Sequence, residues 1–180
     1  MPAPPYAALA LGTDPASPPV GNSYDTAVAK GLSMRTLDLE RIIRAPRADV
    51  FDWITDATNY QRVPAIRRVT PVRPGNVSEH GVGAVRLLVT PLLRLTEEVV
   101  DYDPPRLFRY RILKSLPPLR RQDGTVTFDD HPSGTRVRWH SQFEVATPLF
   151  AAAWTLALIP AVYLGVSAVL STAEAELRRE

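Results

Sequence analysis

The chain has 180 residues, of which 45% are hydrophobic and 22% are charged, and its formal net charge at pH 7 is +2. This composition is typical of one globular domain, and so small a charge gives no argument for a nucleic-acid partner, which needs several uncompensated cations on one face. Because the chain has no cysteine and its three histidines, His80, His131 and His140, stand in no metal-binding spacing, we expect neither a metal nor a cofactor.

The first part of the chain is rich in proline. Residues 1–33 contain six of the 18 prolines, together with Gly, Ser, Asn and Thr, and such a mixture cannot bury enough apolar surface to offset its ordering entropy. We therefore predict a disordered tail over residues 1–33 and one domain over residues 34–180, with translation from Met34 as an alternative start. The short apolar run at residues 6–11 lacks the basic flank of a secretory signal, so we expect a cytoplasmic protein.

A strand and two short helices are predicted at the start of the domain. Residues 36–44 begin with alternating apolar and polar side chains, which is typical of a strand. The Ala-Pro step at residues 45–46 ends this strand. Apolar side chains at helical spacing then predict a short helix within residues 47–60, and Asp56 can cap a second one.

Six further strands are predicted after Pro64, because strand-like runs follow one another with only Pro, Gly, Asp and Asn turn residues between them. Strands that succeed each other at short spacing without helices between them favour an antiparallel meander. The six runs are residues 66–72, 83–90, 95–102, 107–113, 124–129 and 135–145.

The last long segment carries no charged side chain between Glu144 and Glu174. Its apolar stretch, residues 148–172, is long enough to span a bilayer, which needs about 20 apolar residues. It is equally suited to be the one helix that covers a curved sheet, and a membrane span would leave the sheet bare. We therefore predict an α+β helix-grip fold: a curved antiparallel sheet of about seven strands wrapped around a long C-terminal helix, with two short helices after the first strand.

Three stretches resemble the START-like superfamily, also called the Bet v 1-like or polyketide cyclase/dehydrase and lipid transport group. In residues 43–60, a strand ends in an Ala-Pro step and a helix begins with valine followed by an aromatic residue. Residues 99–112, VVDYDPPRLFRYRI, look like that family's strand, Asp-Pro-Pro turn and next strand. Residues 124–128, 133–139 and 143–144 look like its closing hairpin. These motifs are structural, so they transfer a fold better than an activity.

The resemblance implies an internal cavity between sheet and helix that binds or transports a hydrophobic small molecule or a lipid. Two alternatives stay open: an enzyme similar to polyketide aromatase/cyclases, and a membrane-anchored protein held by residues 148–172. No GxSxG motif and no paired-carboxylate spacing is present, so we name no catalytic residue. Alternation along the strands and helical spacing give the predicted apolar lining, which is Val85, Leu87, Phe108, Tyr110, Trp139, Phe143, Trp154, Leu158 and Val162.

One polar contact, from Arg41 or Tyr110, is expected to orient the ligand. Arg41 alternates onto the same face as the apolar side chains of the first strand, where a guanidinium needs a carboxylate or an anionic ligand group; a local bulge that turns it to solvent is the alternative. Glu97 and Glu98 are adjacent, so only one can face inward. An inward glutamate near Arg41 would form an ion pair or serve as a general acid or base.

The final helix has more apolar surface than one sheet can cover. Trp154, Leu158 and Val162 can face the sheet, but Ile159 and Tyr163 on other faces are also apolar. The surplus favours a second partner, which is a dimer mate, the N-terminal tail or a membrane, and of these we expect a homodimer or a membrane contact through this helix.

Overall fold

The computed structural model of the protein describes residues 35–145 and 151–178, with side chains described for all of these except 35, 120–122, 144, 145 and 151–157. The predicted tail, residues 1–33, lies outside the described residues. Seven antiparallel strands form one sheet in the order β1-β7-β6-β5-β4-β3-β2. The strands are β1 Arg35–Ile43, β2 Arg68–Arg73, β3 Val85–Val89, β4 Arg94–Asp103, β5 Leu107–Leu116, β6 Leu119–His131 and β7 Gly134–Val145.

The helices also occur where the sequence places them. Helix α1, Arg47–Thr55, follows the Ala-Pro step, and a 3-10 helix spans Ala57–Arg62. The Asp56 side chain caps the second of these by accepting a hydrogen bond from the Thr58 amide at 2.9 Å. Helix α2, Ala151–Leu177, comes last. The predicted helix-grip fold is confirmed: a curved antiparallel sheet with two short helices after β1 and one long C-terminal helix.

The core lies between the concave face of the sheet, α1 and the second half of α2. Phe51 of α1, Phe128 of β6, Val137 of β7 and Leu170 of α2 are each at most 1% exposed and belong to one cluster. Burial of a side chain of this kind contributes about 1.5–3 kcal/mol. These contacts hold the second half of α2 against the concave face of the sheet.

Two glutamates fix the last turns of α2 to the rest of the fold. Glu174 forms an ion pair with Arg41 of β1, with Nη2 and Oε2 2.8 Å apart. Glu176 accepts a hydrogen bond from the Trp53 indole at 2.8 Å and pairs with Arg62 Nε at 2.8 Å. The C-terminal end of α2 is therefore anchored, and the helix runs from there over the opposite end of the sheet.

The first half of α2 is less covered than the second. Tyr163 is 48% exposed and Leu164 is 64% exposed. By length and composition alone, Leu158–Leu177 is long and apolar enough to cross a membrane, yet Leu158 and Val169 within it are buried against the sheet. The helix thus serves as the cover of the sheet and still presents an apolar outer face.

Candidate functional site

A cavity of about 140 Å³ lies between the concave face of the sheet and α2. Its wall is formed mainly by apolar side chains from the sheet and from α2, and Gly165 of the helix also borders it. Burial of a ligand against such a wall supplies affinity without directional contacts. The apolar lining residues are Ile66, Leu88, Leu93, Leu95, Ile112, Leu119, Phe143, Leu158, Ala161, Val162, Val166 and Val169.

Three polar side chains are linked by hydrogen bonds in the cavity wall. The Tyr110 and Ser141 hydroxyls lie 3.0 Å apart. The Trp139 indole N–H is shared between them: it lies 3.0 Å from Tyr110 Oη and 3.2 Å from Ser141 Oγ. All three residues are buried, so their hydrogen bonds lie in an apolar, water-poor region where such bonds are strong.

A charged pair lies beside this group. Arg86 is 6% exposed, its Nε donates to Glu97 Oε1, and its Nη1 donates to the Thr55 carbonyl at 3.0 Å. The guanidinium carbon lies 5.7 Å from the ring centroid of Tyr60 and 5.5 Å from that of Phe108, distances at which a cation is attracted to an aromatic face. Arg86 is therefore held by a carboxylate, a carbonyl and two rings.

The electrostatics of this region keep Arg86 charged and the tyrosines neutral. Burial opposes the charge on Arg86, but attraction to Glu97 and the hydrogen bond with its carboxylate outweigh this effect, so the pKa of Arg86 is raised above its ordinary value. Burial raises the pKa of Tyr60, and it raises the pKa of Tyr110 to about 12 with a further contribution from Glu97. At neutral pH the tyrosines are hydrogen-bond donors and not anions.

Five of the ten predicted ligand-binding residues line the cavity: Tyr110, Trp139, Phe143, Leu158 and Val162. Phe108 lies behind the wall, fully buried, with its ring centroid 5.9 Å from that of Tyr110 and 6.4 Å from that of Trp139. It supports the two lining rings. The Trp154 side chain lies outside the described residues.

The structure places Arg41 away from the cavity lining. It lies on the inner face of β1, as the alternation indicates, but its guanidinium reaches Glu174 near the end of α2 and its side chain is 37% exposed. Its carboxylate partner is therefore on the helix and not on a neighbouring strand. Arg86, and not Arg41, forms the ion pair with the inward glutamate Glu97.

Val85 and Leu87 are also absent from the cavity lining, because β3 presents the opposite set of side chains. Leu88 lines the cavity and Arg86 pairs with Glu97, whereas Val85 is buried elsewhere and Leu87 is half-buried. Alternation favoured the two aliphatic residues, since an arginine inside is costly unless it is paired. The register of β3 on β4 places Arg86 opposite Glu97. The ion pair between them offsets the cost of burying the arginine.

The expectation that only one of two adjacent glutamates faces inward fits this arrangement. Glu97 is 4% exposed, while Glu98 points to the other face, where it pairs with Arg73 at 2.8 Å and Arg111 at 2.7 Å. The hydrogen bond from Arg111 is the main reason that the pKa of Glu98 is lowered. Sequence reasoning missed Arg86; an inward glutamate in need of a cation on the next strand was the available signal.

Among the residues that the structure describes, no three His, Asp or Glu side chains come together in a group that could hold a metal ion.

The fold has many known counterparts. The Thermus thermophilus protein TTHA0849 superposes with a TM-score of 0.69 at 19% identity, covering 81% of this chain and 98% of that one. The di-domain ARO/CYC BexL from the BE-7585A biosynthetic pathway gives a TM-score of 0.67 at 17% identity, over 84% of this chain and 52% of that one, so this chain spans about half of the di-domain protein. Identities this low show the fold alone.

A third structure is the ZhuI aromatase/cyclase from Streptomyces sp. R1128, with a TM-score of 0.64 at 20% identity over 78% of this chain and 94% of that one. A search of curated protein sequences found no match. The family model described as polyketide cyclase / dehydrase and lipid transport matches residues 34–176, which is most of the chain. The fold, the cavity and this match agree, and the protein belongs to the polyketide cyclase / dehydrase and lipid transport family, within the START-like superfamily.

Proposed function

We propose that the protein binds and carries an apolar small molecule or lipid in the cavity between the sheet and α2. The observation that supports this most directly is the apolar lining contributed by both elements, with one polar group, Tyr110–Ser141–Trp139, set into the wall. A mostly apolar pocket with a few placed polar groups is the usual form of a small-molecule site.

The size of the cavity limits the part of a ligand that it encloses. Its volume of about 140 Å³ is close to that of an engineered apolar cavity of about 150 Å³ that binds benzene. One aromatic ring or a short acyl segment fits without rearrangement. A longer ligand exceeds this volume, so the rest of it extends beyond the cavity, while Glu174 and Glu176 hold the C-terminal end of α2 in place.

Native mass spectrometry of the purified chain tests the proposal. We expect a co-purified or added apolar ligand to remain bound, and we expect added ligand to raise the unfolding temperature because it binds only the folded state. Failure to retain any of a panel of fatty acids, aromatic ketones and phospholipids would contradict the proposal.

A second function, similar to that of an aromatase/cyclase, has one observation in its favour: Arg86, Glu97 and Tyr110 lie together beside the cavity. Acid-base chemistry needs a group that is free to exchange a proton near neutral pH. Here the charged groups are engaged with each other, and the Tyr110 pKa is raised to about 12. We therefore rank binding first, and we expect no cyclised product when a linear poly-β-ketone is incubated with the protein and analysed by chromatography and mass spectrometry.

We further propose that the protein is cytoplasmic and touches an anionic membrane with the end of the molecule that holds the β3–β4 and β5–β6 turns. Exposed apolar side chains lie at this end and on the adjoining part of α2, and exposed Arg94 and Lys114 flank them. Cations beside an apolar rim suit an anionic bilayer, and a membrane is a source of apolar ligands. The exposed apolar residues are Leu92, Leu113, Leu116, Tyr163 and Leu164.

A membrane-anchored protein and a homodimer are the alternatives to this surface contact. Carbonate extraction of expressed protein separates peripheral from integral attachment, and we expect release into the supernatant. Light scattering in solution measures the oligomeric state, and a stable dimer that buries Tyr163 and Leu164 would contradict the membrane contact.

A further inference from the structure

The polar group in the cavity wall spans three neighbouring strands. Tyr110 of β5 stands opposite Gly124 of β6, and Gly124 stands opposite Ser141 of β7. A Cβ atom on Gly124 would lie 2.2 Å from Cζ of the Tyr110 ring, so any side chain at this position would force the ring to move. Glycine at this position therefore lets the Tyr110 ring lie across β6, so that its hydroxyl reaches Ser141 on the strand beyond.

The hydrogen atoms of this group can be counted. The Trp139 indole is a donor only, and its N–H is shared by Tyr110 Oη and Ser141 Oγ, so both oxygens act as acceptors toward it. The two hydroxyls carry two protons, and the bond between them uses one. The second proton has no acceptor among the residues whose side chains the structure describes.

The two hydroxyls that can carry this second proton lie in the cavity wall, where a ligand can accept a hydrogen bond from them. Tyr110, Trp139 and Ser141 all line the cavity, and they are 8%, 6% and 8% exposed. A hydroxyl that faces an apolar cavity without an acceptor is costly. A water molecule or an oxygen atom of a ligand removes that cost.

The charged side chains near the cavity determine whether an anionic or a neutral ligand group is the better acceptor. Glu97 also lines the cavity, and the Arg86 cation beside it is already engaged by Glu97 and by the Thr55 carbonyl. An anionic ligand group would meet the Glu97 carboxylate without a free cation among the described lining residues. A neutral oxygen, such as that of a ketone, ester or alcohol, avoids this repulsion.

We infer that the cavity selects apolar ligands that carry a neutral hydrogen-bond acceptor, and that the spare hydroxyl proton of the Tyr110–Ser141 pair donates to it. This inference rests on the proposed binding function and adds the chemical class of the ligand. Either hydroxyl can supply the proton, because each can donate while the other accepts. Loss of one hydroxyl therefore leaves a donor, and loss of both removes it.

Two probes of nearly equal shape test this selection: acetophenone, which has a carbonyl oxygen, and α-methylstyrene, which has a methylene group in its place. Their dissociation constants are measured by calorimetry on the full chain and on the variants Tyr110→Phe, Ser141→Ala and Tyr110→Phe/Ser141→Ala. We expect wild type to prefer acetophenone by roughly 3- to 10-fold, the effect of one neutral hydrogen bond. Each single variant should keep a preference for acetophenone. The double variant should instead favour α-methylstyrene, because the ketone oxygen then enters the cavity without a hydrogen-bond donor.

The ratio of the two dissociation constants is taken within one variant, so a general loss of affinity or stability does not affect it. Equal binding of both probes by wild type would overturn the inference and leave the binding function standing. A preference for acetophenone that survives in the double variant would also overturn it. Failure of both probes to bind wild type would count against the binding function for ligands of this size, and with it the inference.

Discussion

Gly165 gives the sharpest test of the cavity, because it lies in the middle of α2, lines the cavity, and has no atom within 4 Å of where its Cβ would be. A change to alanine should therefore meet no clash and remove the helix penalty of glycine, which is about 0.8–1 kcal/mol. For a chain of this size that corresponds to a rise in unfolding temperature of roughly 2–4 °C. Thermal unfolding followed by circular dichroism measures it.

A larger side chain at the same position should occupy the ligand's space. Gly165→Phe introduces a group of the size of benzene into a cavity of about 140 Å³, close to the roughly 150 Å³ of the cavity that holds benzene elsewhere. We expect a folded protein that no longer binds acetophenone by calorimetry. Ser171→Phe is the matched control, since Ser171 lies on the exposed side of the same helix. If folded Gly165→Phe binds the probe as tightly as wild type, the ligand does not occupy this cavity.

Three further predictions concern the ion pair, the pH dependence and the membrane. Glu97→Gln should lower the free energy of unfolding by about 3–5 kcal/mol, because it leaves Arg86 buried without its carboxylate; Glu98→Gln on the exposed side is the control in urea unfolding, and equal losses would refute this role. Tyr110 has a folded pKa of about 12 against 10.0 when unfolded, so the unfolded state loses this proton first and stability should fall as the pH rises through that window; Tyr110→Phe, compared by urea unfolding, should show a shallower fall, and an equal slope would contradict the assignment. Leu164→Glu on α2 should reduce flotation with anionic vesicles, whereas Val77→Glu, at a fully exposed position of the loop between β2 and β3, should not. Equal flotation of both variants would exclude the proposed contact.

The element order could be predicted from local signals. Proline and glycine end the strands, alternation marks them, and an Ala-Pro step followed by apolar residues at helical spacing marks α1. These signals act between residues close in the chain, so seven strands, two short helices and one long helix were readable without coordinates. The same motifs also indicated the family to which the chain belongs.

The composition of the site depended on contacts that local signals do not reach. Alternation on β3 favoured Val85 and Leu87 as cavity residues, but the register of β3 on β4 brings Arg86 to Glu97 and turns that face inward. Arg41 lies on the inner face of β1, as expected, but its guanidinium pairs with Glu174, which is 133 positions further along the chain. In both cases the carboxylate partner of the arginine lies on a different element, on β4 for Arg86 and on α2 for Arg41.

By itself, then, the sequence determined the order of the elements, the family and the apolar character of the last helix. The tertiary structure decided which polar groups share the cavity wall, and that Gly124 makes room for Tyr110 to reach Ser141. The physical reason is that apolar burial follows from the periodicity of each segment alone, whereas a buried polar group is stable only beside its partner, and strand register sets where that partner lies.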